Sequence, residues 1–188
     1  MIEHVLNAFG LVFLAELGDK SQIVCMTLAA RYGARPVVAG AVLAFALLNA
    51  VGVLVGAAVG AYVPTSVVDL VVIALFAGFG LKALWSAGEE DDEDVDATDN
   101  RRPFALAFTM TFFSELGDKT QIAVAGLAAT QGALGTWLGA TLALTATSVL
   151  GVVAGRALLA KVPEVWVKRV SGLVFLAFAT LKAWQRFG

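Results

Sequence analysis

Cysteine and histidine are almost absent from this sequence of 188 residues. Cys25 is the only cysteine, which excludes an internal disulfide. His4 is the only histidine, so a zinc or copper site built from nitrogen and sulfur ligands is not expected. The first residues also lack a basic segment followed by a small-residue cleavage site, and we therefore expect no signal peptide.

The composition is strongly apolar. Hydrophobic residues make up 59% of the chain, and the mean hydropathy of +0.83 is typical of a membrane protein. Six apolar segments each reach the roughly 20 residues that a helix needs to cross about 30 Å of hydrocarbon. These segments are 5–30, 36–62, 66–85, 103–129, 134–159 and 165–187. We therefore predict an all-α integral membrane protein with six transmembrane helices and no sizeable soluble domain.

An eight-residue motif occurs twice within the apolar segments, as ELGDKSQI at 16–23 and as ELGDKTQI at 115–122. Seven of the eight positions are identical, and the eighth exchanges one hydroxyl-bearing residue for another. The offset of 99 residues between the two copies also relates other positions, such as Gly33 and Gly132. The chain is therefore predicted to consist of two related halves.

Each half should contain three transmembrane helices, in repeat 1 (1–87) and repeat 2 (103–188). Because three is an odd number, repeat 2 should enter the membrane from the opposite side, which gives two inverted-topology repeats. Residues 88–102 connect the repeats, and within them 89–99 carry eight acids and no base. Such a run is typical of a solvated, disordered linker. Collection of cations is the alternative interpretation of this run.

Basic residues in the loops predict the orientation in the membrane. They cluster after the first and fifth helices and at the end of the linker, as Arg31, Arg35, Arg101, Arg102 and Lys161. The loops at 63–66 and 130–136 carry no base. The positive-inside rule therefore predicts a cytoplasmic linker and both termini outside. Lys82 and Lys182, at helix ends, are expected to extend to the membrane interface, with a role in gating as the alternative.

The motif places ionisable residues where a bilayer helix carries them only at a cost of roughly 2.5–3.5 kcal/mol each. On one continuous helix, Glu16, Asp19 and Gln22 would share a face at positions i, i+3 and i+6. In an inverted pair, two such faces can meet at mid-depth. The predicted metal ligands are Glu16, Asp19, Gln22, Glu115, Asp118 and Gln121. The predicted supporting charges and hydroxyls are Lys20, Ser21, Lys119 and Thr120.

Two further polar residues occupy equivalent positions in the repeats, Asn49 and Ser148. They could contact the ligands of the metal site from outside. Hydrogen bonding between helices is the alternative role for both.

Lysine completes each motif. Lys20 would lie four residues after Glu16, in the favourable order for an ion pair, and Lys119 would pair likewise with Glu115. Four carboxylates and two lysines give the empty site a charge of −2, which one divalent cation or two protons neutralise. Because a net charge crosses a low-dielectric barrier at high cost, this balance predicts exchange of one divalent cation for two protons. Ion pairs that only hold helices together are the alternative.

The predicted donors are all oxygen atoms. Oxygen donors suit Mg²⁺, Ca²⁺ and Mn²⁺, whereas Zn²⁺ and Cu²⁺ favour imidazole or thiolate. Gly18 and Gly117 could loosen the helices and expose backbone carbonyl groups, or they could simply admit a neighbouring helix. The sequence thus predicts a site for a hard divalent cation and leaves the role of the two glycines open.

The duplicated E-x-G-D-K-[ST] motif, in two halves joined by an acidic segment, resembles the second calcium/cation antiporter family over essentially the whole chain. The resemblance implies proton-coupled transport of Mn²⁺ or Ca²⁺, with the acids of the motif as ligands. It also implies a compact prokaryotic form in the plasma membrane, for which manganese export is the commoner assignment. The expected partners are the lipid bilayer, a divalent cation and protons. We expect no nucleic acid, no cofactor besides the transported ion, and either a monomer or a homodimer.

Two other functions are compatible with a cage of oxygen atoms. A passive channel for Mg²⁺, Mn²⁺ or Ca²⁺ could use the same ligands. An intramembrane enzyme could use paired carboxylates as acid and base, but no Ser/His or Cys/His pair is evident, and duplication suits alternating access better. The sequence therefore favours a transporter over an enzyme.

Overall fold

The structure is a computed structural model that describes residues 1–17, 19–85, 102–159 and 164–187. Within these ranges the chain forms eight α-helices and no β-strand, which confirms the predicted all-α class. The helices are α1 (Ile2–Glu16), α2 (Lys20–Tyr32), α3 (Ala34–Tyr62), α4 (Thr65–Trp85), α5 (Pro103–Glu115), α6 (Lys119–Gln131), α7 (Ala133–Leu159) and α8 (Glu164–Phe187). Some predicted positions lie outside the described residues: the linker 88–101, Gly18, Lys161, and the side chains of Lys20 and Ser21.

Within the described ranges, three helices are long and apolar enough to cross a membrane. They are α3 with 29 residues, α4 with 21, and the 21 residues of α7 from Ala133 to Val153. Large apolar side chains on these helices are exposed, such as Leu54 and Val153, as expected of a surface that faces lipid. The chain is therefore a membrane protein.

The first and fourth apolar segments are not continuous helices. α1 ends at Glu16 and α2 begins at Lys20, while α5 ends at Glu115 and α6 begins at Lys119. The prediction of one helix through each motif is therefore wrong. The shared face at i, i+3 and i+6 does not exist, because the helix is interrupted inside the motif.

The two breaks have matching backbone conformations at the positions that the structure describes in both. Leu17 and Leu116 each have φ −66° and ψ 113°, and Asp19 and Asp118 are extended as well. Gly117 has a φ of +79°, a conformation that residues with a side chain rarely adopt. No neighbouring atom lies within 4 Å of the Cβ position at Gly117. This glycine therefore opens the helix and does not serve to admit a neighbour.

Each half continues through a turn of one residue. Gly33 connects α2 to α3, and Gly132 connects α6 to α7. Both have a positive φ, of 90° and 116°, which favours glycine at each turn. Because α2 packs against α3 and α6 packs against α7, each pair forms a helical hairpin.

α3 runs alongside α5 and then α6, in the same direction. Gly40 lies against the backbone of α5, where an added Cβ would collide with the carbonyl oxygen of Phe104. Farther along α3, an added Cβ at Gly60 would lie 2.6 Å from the carbonyl oxygen of Ala129 in α6. Small residues thus allow close approach along the length of α3.

α7 has the equivalent position beside α1 and α2, and it also runs in the same direction as they do. Gly139 lies against the carbonyl group of Val5 in α1, and an added Cβ at Gly151 would lie 3.3 Å from the carbonyl oxygen of Gln22 in α2. Beyond Gln22 a cleft of about 410 Å³ opens. It is lined by Met26, Thr27, Ala29, Ala30, Arg31, Ala34 and Val152.

α3 and α7 contact each other at the centre through polar side chains. The indole N–H of Trp137 donates a hydrogen bond to the carbonyl oxygen of Ala46, at 2.9 Å. The side-chain amide of Asn49 donates to the hydroxyl group of Thr141, at 3.1 Å. These bonds link the two halves directly.

α4 and α8 pack against each other in antiparallel directions. The rings of Phe76 and Phe175 lie 5.9 Å apart. Gly80 and Gly172 bring the two backbones together, since an added Cβ at Gly172 would lie 2.9 Å from the carbonyl oxygen of Gly80. α4 also packs against α6, and α8 against α1, so this pair covers the half-helices on one side of the protein.

An ion pair joins one end of α4 to α8. Lys182 Nζ lies 3.2 Å from Asp69 Oδ1, and Arg186 Nε lies 3.9 Å from Asp69 Oδ2. Lys182, predicted to extend to the membrane interface, thus pairs with a carboxylate of the other half. Lys82, at the opposite end of α4, has no carboxylate partner among the residues that the structure describes.

Candidate cation-binding site

The candidate site lies where the two helix breaks meet. Glu16 and Glu115 are the last residues of α1 and α5. Asp19 and Asp118 are the residues that precede the first turns of α2 and α6. α2 packs against α5 and α6 packs against α1, which brings the breaks of the two halves together.

Three carboxylates form a compact cluster. One oxygen from each of Glu16, Asp19 and Glu115 lies within 4.8 Å of the other two. Glu16 is completely buried, Glu115 is 7% exposed, and the Asp19 side chain is 30% exposed. Because buried carboxylates strongly require cations or hydrogen-bond donors nearby, this cluster is suited to hold a positive charge.

Lys119 supplies a positive charge to the cluster. Its Nζ atom lies 3.4 Å from Glu16 Oε1. It also lies 3.5 Å from one oxygen of Asp19 and 3.5 Å from one oxygen of Asp118. The fourth predicted carboxylate thus joins the other three through this lysine.

The pairing of lysine differs from the prediction. The helix break removes the i, i+4 relation between Glu115 and Lys119, and Lys119 instead contacts Glu16 of the other half. Thr120, also predicted as a supporting residue, is buried and donates its hydroxyl hydrogen to Glu16. The two halves are therefore joined at the site by an ion pair and a hydrogen bond on the same carboxylate.

The two aspartates do not cap their helices with their side chains. Aspartate at this position commonly accepts a hydrogen bond from the first turn, yet neither the Asp19 nor the Asp118 side chain does so. The partial positive charge of a helix N-terminus still favours a carboxylate there. Both carboxylates are therefore stabilised beside the cluster without being tied to the backbone.

The two glutamines occupy different surroundings. Gln121 accepts a hydrogen bond from the backbone N–H of Gly117, at 2.7 Å, and donates to the carbonyl oxygen of Leu48, at 3.4 Å. It thereby fixes the second break to α3. Gln22 is buried at the start of α2, next to Gly151 of α7. Metal binding by either glutamine stays a prediction.

The two predicted outer residues bond between helices. Asn49 donates to Thr141, as described above. The thiol of Cys25 donates a hydrogen bond to the hydroxyl oxygen of Ser148, with sulfur and oxygen 3.9 Å apart. Thr111 is completely buried one turn before Glu115, and the sequence analysis did not select it. Its counterpart in the first half is Val12, so the comparison of the repeats gave no signal for this hydroxyl.

Comparison with known proteins identifies the family. The sequence profile described as "Divalent cation/proton antiporter GDT1" matches residues 4–91 and 103–188. The chain belongs to the GDT1 family. This membership confirms the resemblance that the duplicated motif indicated, and it makes the chain a member of a family of membrane transporters of cations.

Individual relatives from the GDT1 family align with nearly the whole of this chain. A GDT1-like protein of Synechocystis sp. is 33% identical, with 94% of each chain covered. A Vibrio cholerae protein whose name proposes that it exports manganese is 30% identical, with 96% of this chain and 92% of its own covered. GDT1-like protein 5 of Arabidopsis thaliana is 28% identical, with coverage of 95% and 94%. No solved structure matches the chain.

Proposed function

We propose that this protein is a proton-coupled antiporter that exports Mn²⁺ from the cytoplasm by alternating access. The observation that carries the proposal is the cluster of carboxylate oxygens from Glu16, Asp19 and Glu115, which come from both halves of the chain. Together with Asp118, they would bind the transported ion. The divalent cation is the substrate of the protein and not a resident cofactor.

The chemistry of the donors supports a hard divalent ion. The cluster consists of carboxylates only, and such ligands suit Mn²⁺, Ca²⁺ and Mg²⁺. Family membership supports a divalent cation exchanged for protons. The name of the Vibrio cholerae relative supports manganese in particular. Ca²⁺ is the second candidate substrate.

The directions of the helices support six spans in two inverted repeats. α7 runs with α1 and α2, whereas α3 runs with α5 and α6. Because α2 and α3 form a hairpin, the pair α1–α2 and the pair α5–α6 point in opposite directions. Each broken pair then crosses the membrane once, as discontinuous helices do in many transporters. Repeat 1 would cover 1–87 and repeat 2 would cover 103–188.

Basic residues support the orientation. Arg31 and Arg35 flank the turn between α2 and α3, and Arg102 precedes α5. The positive-inside rule assigns these ends to the cytoplasm. Both termini would then lie outside a plasma membrane, and the cleft beside α2 would open toward the cytoplasm.

The charge balance supports obligatory exchange. Four carboxylates and two lysines leave the empty site at −2, and either one divalent cation or two protons restore neutrality. Because a charged site faces a large barrier in hydrocarbon, the loaded forms should change conformation more readily than the empty form. A passive channel needs no such balance.

Transport in inverted membrane vesicles tests the proposal. Uptake of Mn²⁺, Ca²⁺ and Mg²⁺ is compared with and without an imposed proton gradient, acidic inside. The antiporter should accumulate Mn²⁺ above its external concentration only when the gradient is present. A channel would only dissipate the ion gradient, so accumulation that is independent of protons, or no accumulation, would overturn the proposal.

Matched variants assign the activity to the cluster. Glu16→Gln and Asp118→Asn keep the size of the side chain and remove its charge. Each should lower Mn²⁺ transport to background while the amount of protein in the membrane stays the same. Glu3→Gln is the control, because Glu3 is exposed in the first turn of α1. Full transport by both cluster variants would count against these ligands.

A further inference from the structure

Within the part of the chain that the structure describes, the ammonium group of Lys119 lies among the carboxylates of the candidate site. Lys119 Nζ is 3.4 Å from Glu16 and 3.5 Å from each of Asp19 and Asp118. A lysine ammonium is a compact point charge with three donor hydrogens and no acceptor. Lys119 therefore meets the carboxylates as a bound metal cation would, with its charge directed at three oxygen atoms.

The position of this ammonium follows from the helix break. Because α6 begins at Lys119, the side chain leaves the backbone beside Asp118 and can reach the first half of the chain. Two of its three carboxylate partners, Glu16 and Asp19, belong to that half. In an unbroken helix the same lysine would lie one turn from Glu115. The break thus directs Lys119 into the cluster that the two halves share.

A divalent cation and this ammonium cannot share the same oxygen atoms. Hard divalent cations bind carboxylate oxygens at about 2.0–2.6 Å. An ion held by Glu16 and Asp19 would therefore lie within a few ångströms of Nζ in its present position. Like charges at such a separation repel strongly in a partly buried site.

We propose that Lys119 is a tethered competitor of the transported ion and thereby sets selectivity for divalent over monovalent cations. The inference rests on the proposed cation site. In the absence of the ion the ammonium neutralises part of the carboxylate charge, and it must leave before the ion binds. A divalent ion that displaces a single positive charge gains attraction to the carboxylates. A monovalent ion exchanges one unit charge for another and gains little.

Binding of Mn²⁺ to the purified full-length protein in detergent tests this role. Free Mn²⁺ is measured by electron paramagnetic resonance, with Na⁺ or with a bulky organic cation as the background salt. Lys119→Gln should bind Mn²⁺ on the order of tenfold more tightly than the wild type in the organic salt. Sodium should then weaken the binding of Mn²⁺ by Lys119→Gln, and it should have no such effect on the wild type.

Three further variants make the result specific. Lys119→Arg keeps the positive charge, so it should gain neither the tighter Mn²⁺ binding nor the sensitivity to sodium of the neutral variants. Lys182→Gln removes the same charge from an ion pair away from the cluster and should also resemble the wild type. Lys119→Met removes the charge with a different side chain, and it replaces Lys119→Gln in the test if that variant is not monodisperse.

The outcomes separate this inference from the proposed function. If the wild type binds Mn²⁺ and the neutral variants bind it no more tightly, or stay insensitive to sodium, Lys119 is not a competitor and the proposed function stands. If Lys182→Gln shows the same gain as Lys119→Gln, the effect is one of net charge and the inference also fails. If the wild type binds neither Mn²⁺ nor Ca²⁺, the proposed site fails, and this inference fails with it.

Discussion

Two helix interfaces that are equivalent in the sequence differ in the structure. Along α3 and α6, glycines at four-residue spacing keep the backbones in contact, and an added Cβ at Gly56 would collide with the carbonyl group of Ala125. Along α7 and α2, contact occurs at Gly151 and Gln22, and the cleft of about 410 Å³ follows. The α3–α6 interface is therefore closed next to the candidate site, whereas the α2–α7 interface is open there.

This difference indicates what the two repeats do in the proposed mechanism. Because the repeats share their sequence pattern, the closed and open interfaces can exchange roles at little net cost in contacts. In the proposed orientation, the α2–α7 cleft faces the cytoplasm and the α3–α6 contact closes the outer side. The conformation described here would then be the one that accepts the ion from the cytoplasm, and exchange of the two interfaces would release it outside.

The largest effect is expected from a wedge in the closed interface. Gly56→Ala places a methyl group against the backbone of Ala125. Overpacking costs about 1–3 kcal/mol, which changes a two-state equilibrium by roughly fivefold or more. Mn²⁺ transport should fall by at least that factor, measured as uptake into inverted vesicles per amount of protein.

Gly78→Ala is the control for this wedge. It makes the same change on α4 at a position with open space around it. It should transport as the wild type does. Equal activity of Gly56→Ala and Gly78→Ala would show that closure of the α3–α6 interface does not matter for transport.

A smaller effect is expected when the two interfaces are compared by the rate at which a cysteine in each one reacts with a reagent from solution. Ala30 is exposed beside the cleft, whereas its counterpart Ala129 is half-buried against Gly60. In a protein with Cys25→Ala, a cysteine at position 30 should react with a hydrophilic maleimide roughly fivefold faster than a cysteine at position 129, because thiol reactivity requires exposure. Gel-shift labelling over time gives both rates.

Two results would contradict this prediction. Equal rates at the two positions would mean that the interfaces are equally open in solution. A faster reaction at position 129 would mean that the opposite conformation predominates.

The smallest effect is expected at the two ends of α4. Asp69→Asn removes the ion pair with Lys182 and should lower the free energy of unfolding by about 1 kcal/mol or less. That corresponds to a loss of about 2–4 °C in melting temperature, measured by thermal unfolding in detergent. Lys82→Gln should change the melting temperature by less. A double-mutant cycle of Asp69→Asn with Lys182→Gln should show coupling, and additive effects would exclude a stabilising pair.

The sequence contained enough information for the helical class and for three of the acidic residues that the structure brings together. Long apolar runs predict helices because a membrane requires internally bonded backbone. The duplicated motif predicted Glu16, Asp19 and Glu115, which the structure brings together. A charged residue in an apolar run is a strong signal, because its cost in a membrane helix makes it rare there without a function.

The sequence left the helix breaks as one of two alternatives for the motif glycines, and it did not predict the partner of Lys119. A break of three residues interrupts few hydrogen bonds and leaves the apolar run intact, so the periodicity does not show it. The contact between Lys119 and Glu16 depends on how the two halves pack. The sequence also did not predict which of the two interfaces is closed. The repeats carry equivalent glycines, such as Gly52 and Gly151, and the pattern does not distinguish them.

The uneven placement of tryptophan has a practical consequence. Trp85, Trp166 and Trp184 lie near helix ends and are mostly exposed, whereas Trp137 lies between α3 and α7 with its indole bonded to Ala46. Substitution of the other three by phenylalanine leaves one fluorophore at the seam of the two halves. The emission wavelength and the quenching of Trp137 should then change as the protein turns over, which makes transport visible without an attached dye.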